Sequence, residues 1–405
     1  MKKIYTLVFL VFCISMACNK ASKSELKTIS IPKLLDRSEK LQYTNEWPEL
    51  KNRFADLEHK IINNPEDIDV LLQLTYLYIT EARVSGEHGH YYPAALQMTE
   101  KVLENKKITS DQKFLALSNK ASVQLSLHDF QNAYNTAKEA LTLNPYSAQI
   151  YGALVDACVE LGKYEESVGY ADKMVSIRPD IRSYSRVSYI REIFGMPEAA
   201  IDAFKMAVQA GSPGSEEKCW AALQLAELYA KYNRTNESEA ILKQILEERE
   251  HYPFAKAALA KLYSRKNQYA EAEQELKEAC AIIPEVSFYV QLAEIYQKQN
   301  REEELQQTLS DILIMLEDDM NHGHNMSLEY ANLYINFFKD SSKALEYLNQ
   351  DLVMRPENIE INRMLSKIYL MQKNKGQAEI CLKKARRTNS KDPALSELSL
   401  ELQNI

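Results

Sequence analysis

The sequence predicts an all-α chain wound into a superhelical solenoid, and three observations predict it. The chain has 405 residues, 45% of them apolar, with only 10 Gly and 12 Pro. So few of the two strongest helix breakers favours helix along most of its length. Tyrosines recur at a near-fixed spacing: Tyr229, Tyr263, Tyr296, Tyr334 and Tyr369 lie 34, 33, 38 and 35 residues apart. Each also closes a similar phrase, in turn LAELY, LAKLY, LAEIY, YANLY and LSKIY. A period of a few tens of residues marks stacked units that cannot bury their apolar faces singly.

From the N-terminus, MKKIYTLVFLVFCISMAC has two lysines, a short apolar run and small residues before Cys18. That is the layout of a secretory signal, too short for a comfortable membrane span of about 20 residues. Ser15-Met16-Ala17-Cys18 resembles the bacterial lipobox, although Ser15 stands where Leu is usual. The resemblance implies cleavage after residue 17 and acylation of Cys18, for instance by palmitate. Residues 18–46, rich in Lys and Ser, then read as a tether. Asn19-Lys20 carries no acidic surface-export tag, so the expected location is exported, lipid-anchored and facing the periplasm.

WPELKNRFADLEHKIINNP (Trp47 to Pro65) reads as a leading half-repeat. Nine repeats follow, at 68–107, 111–145, 146–180, 181–214, 215–253, 254–285, 286–325, 326–358 and 359–393, and a tail (394–405) caps them. The segment from Leu259 to Pro284 is representative: Leu259-Ala260, Tyr263, Tyr269, Ala272, Leu276, Ala279, Pro284. Small residues let paired helices approach, large ones fill the gap beside them, and the Pro stops the second helix. This pattern is similar to that of the tetratricopeptide repeat family, across residues 47–393. The resemblance implies a right-handed superhelix (an α-solenoid) of about nine repeats, serving as an interaction scaffold and not an enzyme. The stretches EARVSGEHGHYYPAAL, SYSRVSYIREIFG and GSPGSEEKCWAALQLAELY resemble exported tetratricopeptide-repeat lipoproteins of Bacteroidota-type bacteria.

Several chemistries find no support. A net charge of −8 and a pI near 5.6 argue against nucleic acid, whose phosphates require clustered cations. The basic run KKARRTNSK (Lys383 to Lys391) reads as a solvated helix end. Phosphate-loop, nucleophile-elbow, dinucleotide and HExxH motifs do not occur. Cys13 leaves with the signal, and Cys158, Cys219, Cys280 and Cys381 form no CxxC pair, so they read as buried single thiols. No cofactor is expected.

Two HGH stretches stand apart. His88 and His90 fall in an excess of about eight residues between the helices of the first repeat. His322 and His324 fall in a second excess, between repeats seven and eight. Each is expected as an inserted loop with at most two or three ligands, fewer than the four of a structural zinc site. Six repeats separate the copies, and solenoid contacts run between neighbours.

In such superhelices the first helices line the concave side. Outward projection gives Arg182, Tyr189 and Glu192 in repeat four and Trp220, Leu223 and Glu227 in repeat five. Repeat six gives Phe254, Lys261 and Arg265. Aromatic anchors among charges of both signs suit a partner-binding groove. The expected partner is an envelope protein or an extended peptide, with the membrane engaged through the lipid. Two other readings stay open: a glycan-capture lipoprotein, and a metal-binding protein that uses the HGH loops.

Overall fold

The computed structural model describes residues 31–404. A single turn, repeated, sets its unit. His128, Gly162, Gly195, Asn233, Asn267, Asn300, Lys339 and Lys373 all take the left-handed conformation, with φ between 54° and 74°. In most of these turns the next residue donates its N–H to the carbonyl five residues back. Arg234 reaches Tyr229 at 2.8 Å, Gln268 reaches Tyr263 at 2.9 Å, and Asn374 reaches Tyr369 at 2.8 Å. This closure satisfies carbonyls orphaned at a helix end. The recurring tyrosines are therefore the acceptors that end the first helices of repeats five to nine, a place taken by Gln124, Cys158 and Arg191 in repeats two to four. Three also carry a cation over the ring, Arg234 over Tyr229 at 4.4 Å, Arg301 over Tyr296 at 4.5 Å and Lys343 over Tyr334 at 4.7 Å.

These eight turns, with Gly86 (φ 76°) between the two helices of the first hairpin, join helices into nine antiparallel hairpins among the described residues. The first four are α2 (Ile68–Ser85) with α3 (His88–Glu104), α4 (Ser110–Ser126) with α5 (Phe130–Leu143), α6 (Ala148–Glu160) with α7 (Tyr164–Ile177), and α8 (Ile181–Ile193) with α9 (Pro197–Ala210). Then come α10 (Glu216–Lys231) with α11 (Thr235–Glu248), α12 (Pro253–Arg265) with α13 (Tyr269–Ile282), and α14 (Val286–Lys298) with α15 (Glu302–Asn321). The last two are α16 (Ser327–Leu333) with α17 (Ser341–Met354), and α18 (Ile359–Met371) with α19 (Lys375–Ala385). Helices α1 (Glu46–Asn63) and α20 (Pro393–Gln403) cover the two ends. No strand occurs among the described residues, and none of their helices is long and apolar enough to cross a membrane.

Side-chain caps start many of the helices. Thr109 forms a reciprocal box with Gln112, and Asp180 one with Ser183. Alanines make the tight contacts within and between hairpins: Ala133, Ala137 and Ala140 on α5, and Ala272 and Ala279 on α13, are fully buried. From α2 to α14 neighbouring first helices pack directly on one another, whereas most second helices pack on the first helix of their own hairpin and of the next. The first helices are thus the crowded inner layer of the curve and line its concave side.

The curve closes on itself. Residues some two hundred positions apart, close to six repeat lengths, meet along a seam between successive turns. Asn325 N–H donates to the Leu127 carbonyl at 3.1 Å, and a His128 ring nitrogen lies 2.9 Å from the Asn325 carbonyl. Arg355 bonds Glu160 at 2.6 Å, and the Ile359 N–H donates to the Tyr164 hydroxyl at 2.8 Å. This corrects the expectation that contacts run only between neighbouring repeats. Small rotations at each repeat add up to a full turn within the chain's length.

Two local expectations change as well. The first HGH is the first turn of α3, which begins at His88, so Pro93 sits in the second turn instead of opening the helix. The excess near the second HGH is taken up mostly by helix: α15 has 20 residues where α13 has 14. The segment expected as a tether is described from residue 31 onwards, and that part is docked on the hairpins. Cys18 lies outside the described residues.

Candidate functional site

Tyr189, on the inner face of α8, has the two properties of a residue inside a groove. Its side chain is 46% exposed. Its phenol is nevertheless pushed well above its ordinary value by surrounding protein, then by Glu160, Tyr164, Glu192 and Glu360. Water thus reaches the ring while Glu160 on α6, Tyr164 on α7, Glu192 on α8 and Glu360 on α18 act on its hydroxyl. Glu227 on α10 behaves alike: it is exposed, yet burial raises its carboxyl while the Lys261 cation opposes the rise. Trp220, at the start of α10, is 40% exposed. On α10 the open stripe therefore runs through Trp220, Gln224 and Glu227, positions i, i+4 and i+7 of one helix face.

Other expected groove residues are engaged elsewhere. Leu223 is 4% exposed and packs with Cys219, Leu242 and Leu259, on the core side of that stripe. Glu192 is 8% exposed and accepts bonds from Lys231 and Tyr232, both at 2.9 Å. Lys231 also reaches Asp392 at 2.8 Å, so Glu192 belongs to a junction of α8, α10 and the approach to α20. Phe254 is half-buried between Tyr252 and Phe288, its ring centroid 5.5 Å from that of Phe288. Arg182 pairs with Glu217. Arg265 is exposed, and its guanidinium donates to the Ala230 carbonyl at 2.8 Å, helping to satisfy the end of α10. Lys261 is exposed and has no ion pair among the described residues within 4.0 Å.

The seam adds residues that local sequence did not suggest. Glu360 and Arg363 on α18 pair with each other. Glu360 also raises the Tyr189 phenol from across the turn. Lys367 is held below the usual lysine value by burial and by Arg363, and it donates to Asn336 at 2.9 Å. Nothing local in the sequence marks them, because repeat nine faces repeat four only after a full turn.

The same closure brings the two HGH stretches together. The rings of His88 and His324 lie 5.9 Å apart, and both pack on Tyr92, at 5.3 and 5.8 Å. Gly89 presses so close that a Cβ there would meet the His322 ring at 2.9 Å. Burial, then His324, pulls His88 down to about 4, and burial lowers His324 too. His90 turns outward and bonds the Lys33 carbonyl at 2.8 Å. Among the described residues no group of three or more His, Cys, Asp or Glu is arranged to hold a metal ion. The stacking closes the seam. Cys158, Cys219 and Cys381 are buried and Cys280 is half-buried, all four unpaired, and burial pushes Cys158 up to about 12.

Residues 255–285, which span α12 and α13, match the tetratricopeptide repeat family model. That stretch is a tetratricopeptide repeat. Small glutamine-rich tetratricopeptide repeat-containing protein 2 of Saccharomyces cerevisiae is 33% identical over 78 residues, 19% of this chain. That match spans 22% of the yeast protein, about a fifth of its length. Among solved structures, the APC/C Cut9–Hcn1 hetero-tetramer is similar over 90% of this chain and 61% of that chain, at 17% identity and a TM-score of 0.47. A tetratricopeptide repeat protein from Parabacteroides merdae is similar over 72% of this chain and all of its own, at 17% identity and a TM-score of 0.37.

Proposed function

We propose that this tetratricopeptide-repeat chain is a non-enzymatic scaffold of the bacterial cell envelope, anchored by a lipid on Cys18, that holds an extended protein segment against its concave face. The observation that carries the reading is the enclosed yet open ring of Tyr189, with Trp220 on the next first helix. Aromatic groups kept in contact with water inside a groove gain contact area when a partner displaces that water. Lys261, Glu227 and Arg265 flank them with charges of both signs, which select a partner's register more than they add affinity.

The test places a photo-crosslinking amino acid at Trp220, and separately at the convex position Glu271, in cells making the full chain. Capture of one defined protein at Trp220, absent at Glu271 and lost when Tyr189→Ala is added, supports the groove. The same set of products at both positions overturns it. Metabolic labelling with a palmitate analogue, present in wild type and lost in Cys18→Ser, tests the anchor independently.

A further inference from the structure

The stretch from Ile31 to Glu46 joins two cores that are remote in sequence. Ile31, Leu34 and Leu35 pack into the apolar cluster of the first repeat, whereas Leu41 packs into the cluster built by α12 to α16. Polar contacts divide in the same way. On the first repeat, the Tyr78 hydroxyl donates to the Pro32 carbonyl at 2.6 Å, the Leu35 N–H donates to the Tyr91 hydroxyl at 2.9 Å, and Arg37 forms a buried pair with Glu81 at 2.5 Å. Towards repeats five and six, the Tyr43 hydroxyl donates to the Glu248 carbonyl at 2.8 Å. Arg249 there stacks on Tyr43 at 4.2 Å and bonds Glu46 at 2.9 Å.

We propose that residues 31–46 act as a clasp that holds the first turn of the superhelix against the second, and that its release lets the turns part and opens the concave interior from the side. Where the clasp crosses, the direct bridge between repeats one and five is the partly exposed pair Arg83–Glu216 at 3.0 Å, a contact of the kind that adds little by itself. Further along, the seam consists mostly of hydrogen bonds and ion pairs, in contrast to the apolar packing between neighbouring hairpins. The second half of the clasp is also the looser half. Residues 39–44 border a solvent-open pocket of about 260 Å³ against Arg83, Glu216 and the 249–254 segment. The expected order of release is therefore the Tyr43 end first, with the Arg37–Glu81 anchor retained. The inference concerns access to the interior and stands whichever partner enters.

The experiment measures a distance across the seam in the full chain. Spin labels go on Glu100→Cys in α3 and Glu271→Cys in α13, both exposed, in a Cys280→Ser background so that the half-buried thiol does not react. With the clasp intact, one narrow distance distribution is expected. With Tyr43→Ala and Arg249→Ala together, a second population longer by roughly 10 Å, about one helix spacing, is expected with unchanged helical circular dichroism. Leu41→Ser is the milder variant, which leaves every first-repeat anchor in place, and it should give the same second population at lower occupancy. A distribution identical to wild type in both variants would overturn the clasp and leave residues 31–46 as a passive end cap. Loss of helical signal in the double variant shifts the decision to Leu41→Ser, in which an unchanged distance overturns the proposal just as firmly.

Discussion

Two kinds of interface hold this molecule together, and they are built from different materials. Between neighbouring hairpins the contact is apolar: Leu276, Ala279, Ile295 and Ile312 share one cluster, and Leu348, Ile361 and Ile368 share another. Between successive turns the contact is mostly polar, carried by Arg355–Glu160, Lys231–Asp392 and backbone bonds such as Asn325 to Leu127. Apolar burial is non-directional and roughly additive in area, so it suits a contact repeated at every step. Polar contacts need geometry, and at the seam that geometry exists only once a full turn is complete. The stack should therefore decide whether the chain folds, and the seam how tightly it closes.

The largest effect should come from the stack. Leu348→Ala removes a fully buried side chain shared by α17 and α18 and should cost about 2–5 kcal/mol. Chemical denaturation followed by circular dichroism reads this directly. A cost below about 1 kcal/mol would mean that the hairpin interface collapses around the gap, and the contrast with the seam would weaken.

Next comes the buried cation that anchors the seam, Arg355, which bonds Glu160 across the turn at 2.6 Å and Asp351 within its own repeat. Arg355 and Asp351 have side chains 6% and 2% exposed and bond at 2.7 Å, while Arg355 also covers Phe130. Arg355→Ala leaves Asp351 with only the Asn325 amide at 2.8 Å, and should cost roughly 3 kcal/mol. Arg355→Met keeps the cover over Phe130 but not the charge. If the two variants lose the same stability, the charge carries the effect; if Met restores most of it, the packing does.

The contrast between the interfaces also explains what the sequence could and could not disclose. The stack was legible because it repeats: Tyr229, Tyr263, Tyr296, Tyr334 and Tyr369 recur where each first helix closes, and nine hairpins follow from that rhythm. The seam was not, since His88 meets His324 through a superhelical pitch that no single repeat encodes. Exposure along the first helices was legible by half. Tyr189 and Trp220 are open to solvent, but Leu223 and Glu192 are buried, because each lies three residues beyond its aromatic neighbour, on the side turned to the core or to the next helix. Projection by a simple 3.6 period does not separate i+3 from i+4 when the helix packs at an angle.

Acid and base groups at the seam give a subtler test. Burial and then Asp319 push Glu285 up to about 7 from 4.5, whereas burial and His324 pull His88 down to about 4 from 6.5. A carboxyl raised in this way costs stability as pH climbs from 4.5 through 7. A lowered histidine costs stability as pH falls from 6.5 through 4. The two oppose each other across mildly acidic pH, so the wild type should change little there. Glu285→Gln removes the first effect alone. It should stabilise the protein near pH 8 by on the order of 1–3 kcal/mol, and the gain should vanish below pH 4.5. Denaturation midpoints at three pH values decide it, and no gain at the alkaline end would mean that water reaches Glu285 freely.

The smallest effect lies in the turns that join the two helices of a hairpin. Lys339 and Lys373 hold φ of 54° and 57°, where Asn or Gly stands in five of the other repeats. A side chain with a Cβ in this region costs roughly 1–2 kcal/mol, which Gly avoids while giving up some of its freedom in the unfolded chain. Lys373→Gly should therefore stabilise by a few tenths to about 1 kcal/mol. Lys339 follows a π turn, Tyr334–Phe338, in which Asp340 reaches back six residues to Tyr334 instead of five. The Lys339 ammonium also bonds the Asn336 carbonyl at 2.6 Å, so Lys339→Gly loses a contact as it relieves the backbone. Its gain should be the smaller of the two. If instead Lys339→Gly gains more, relief of the wider turn outweighs the bond to Asn336, and the eighth hairpin is the one place where the repeat's own closing turn is under tension.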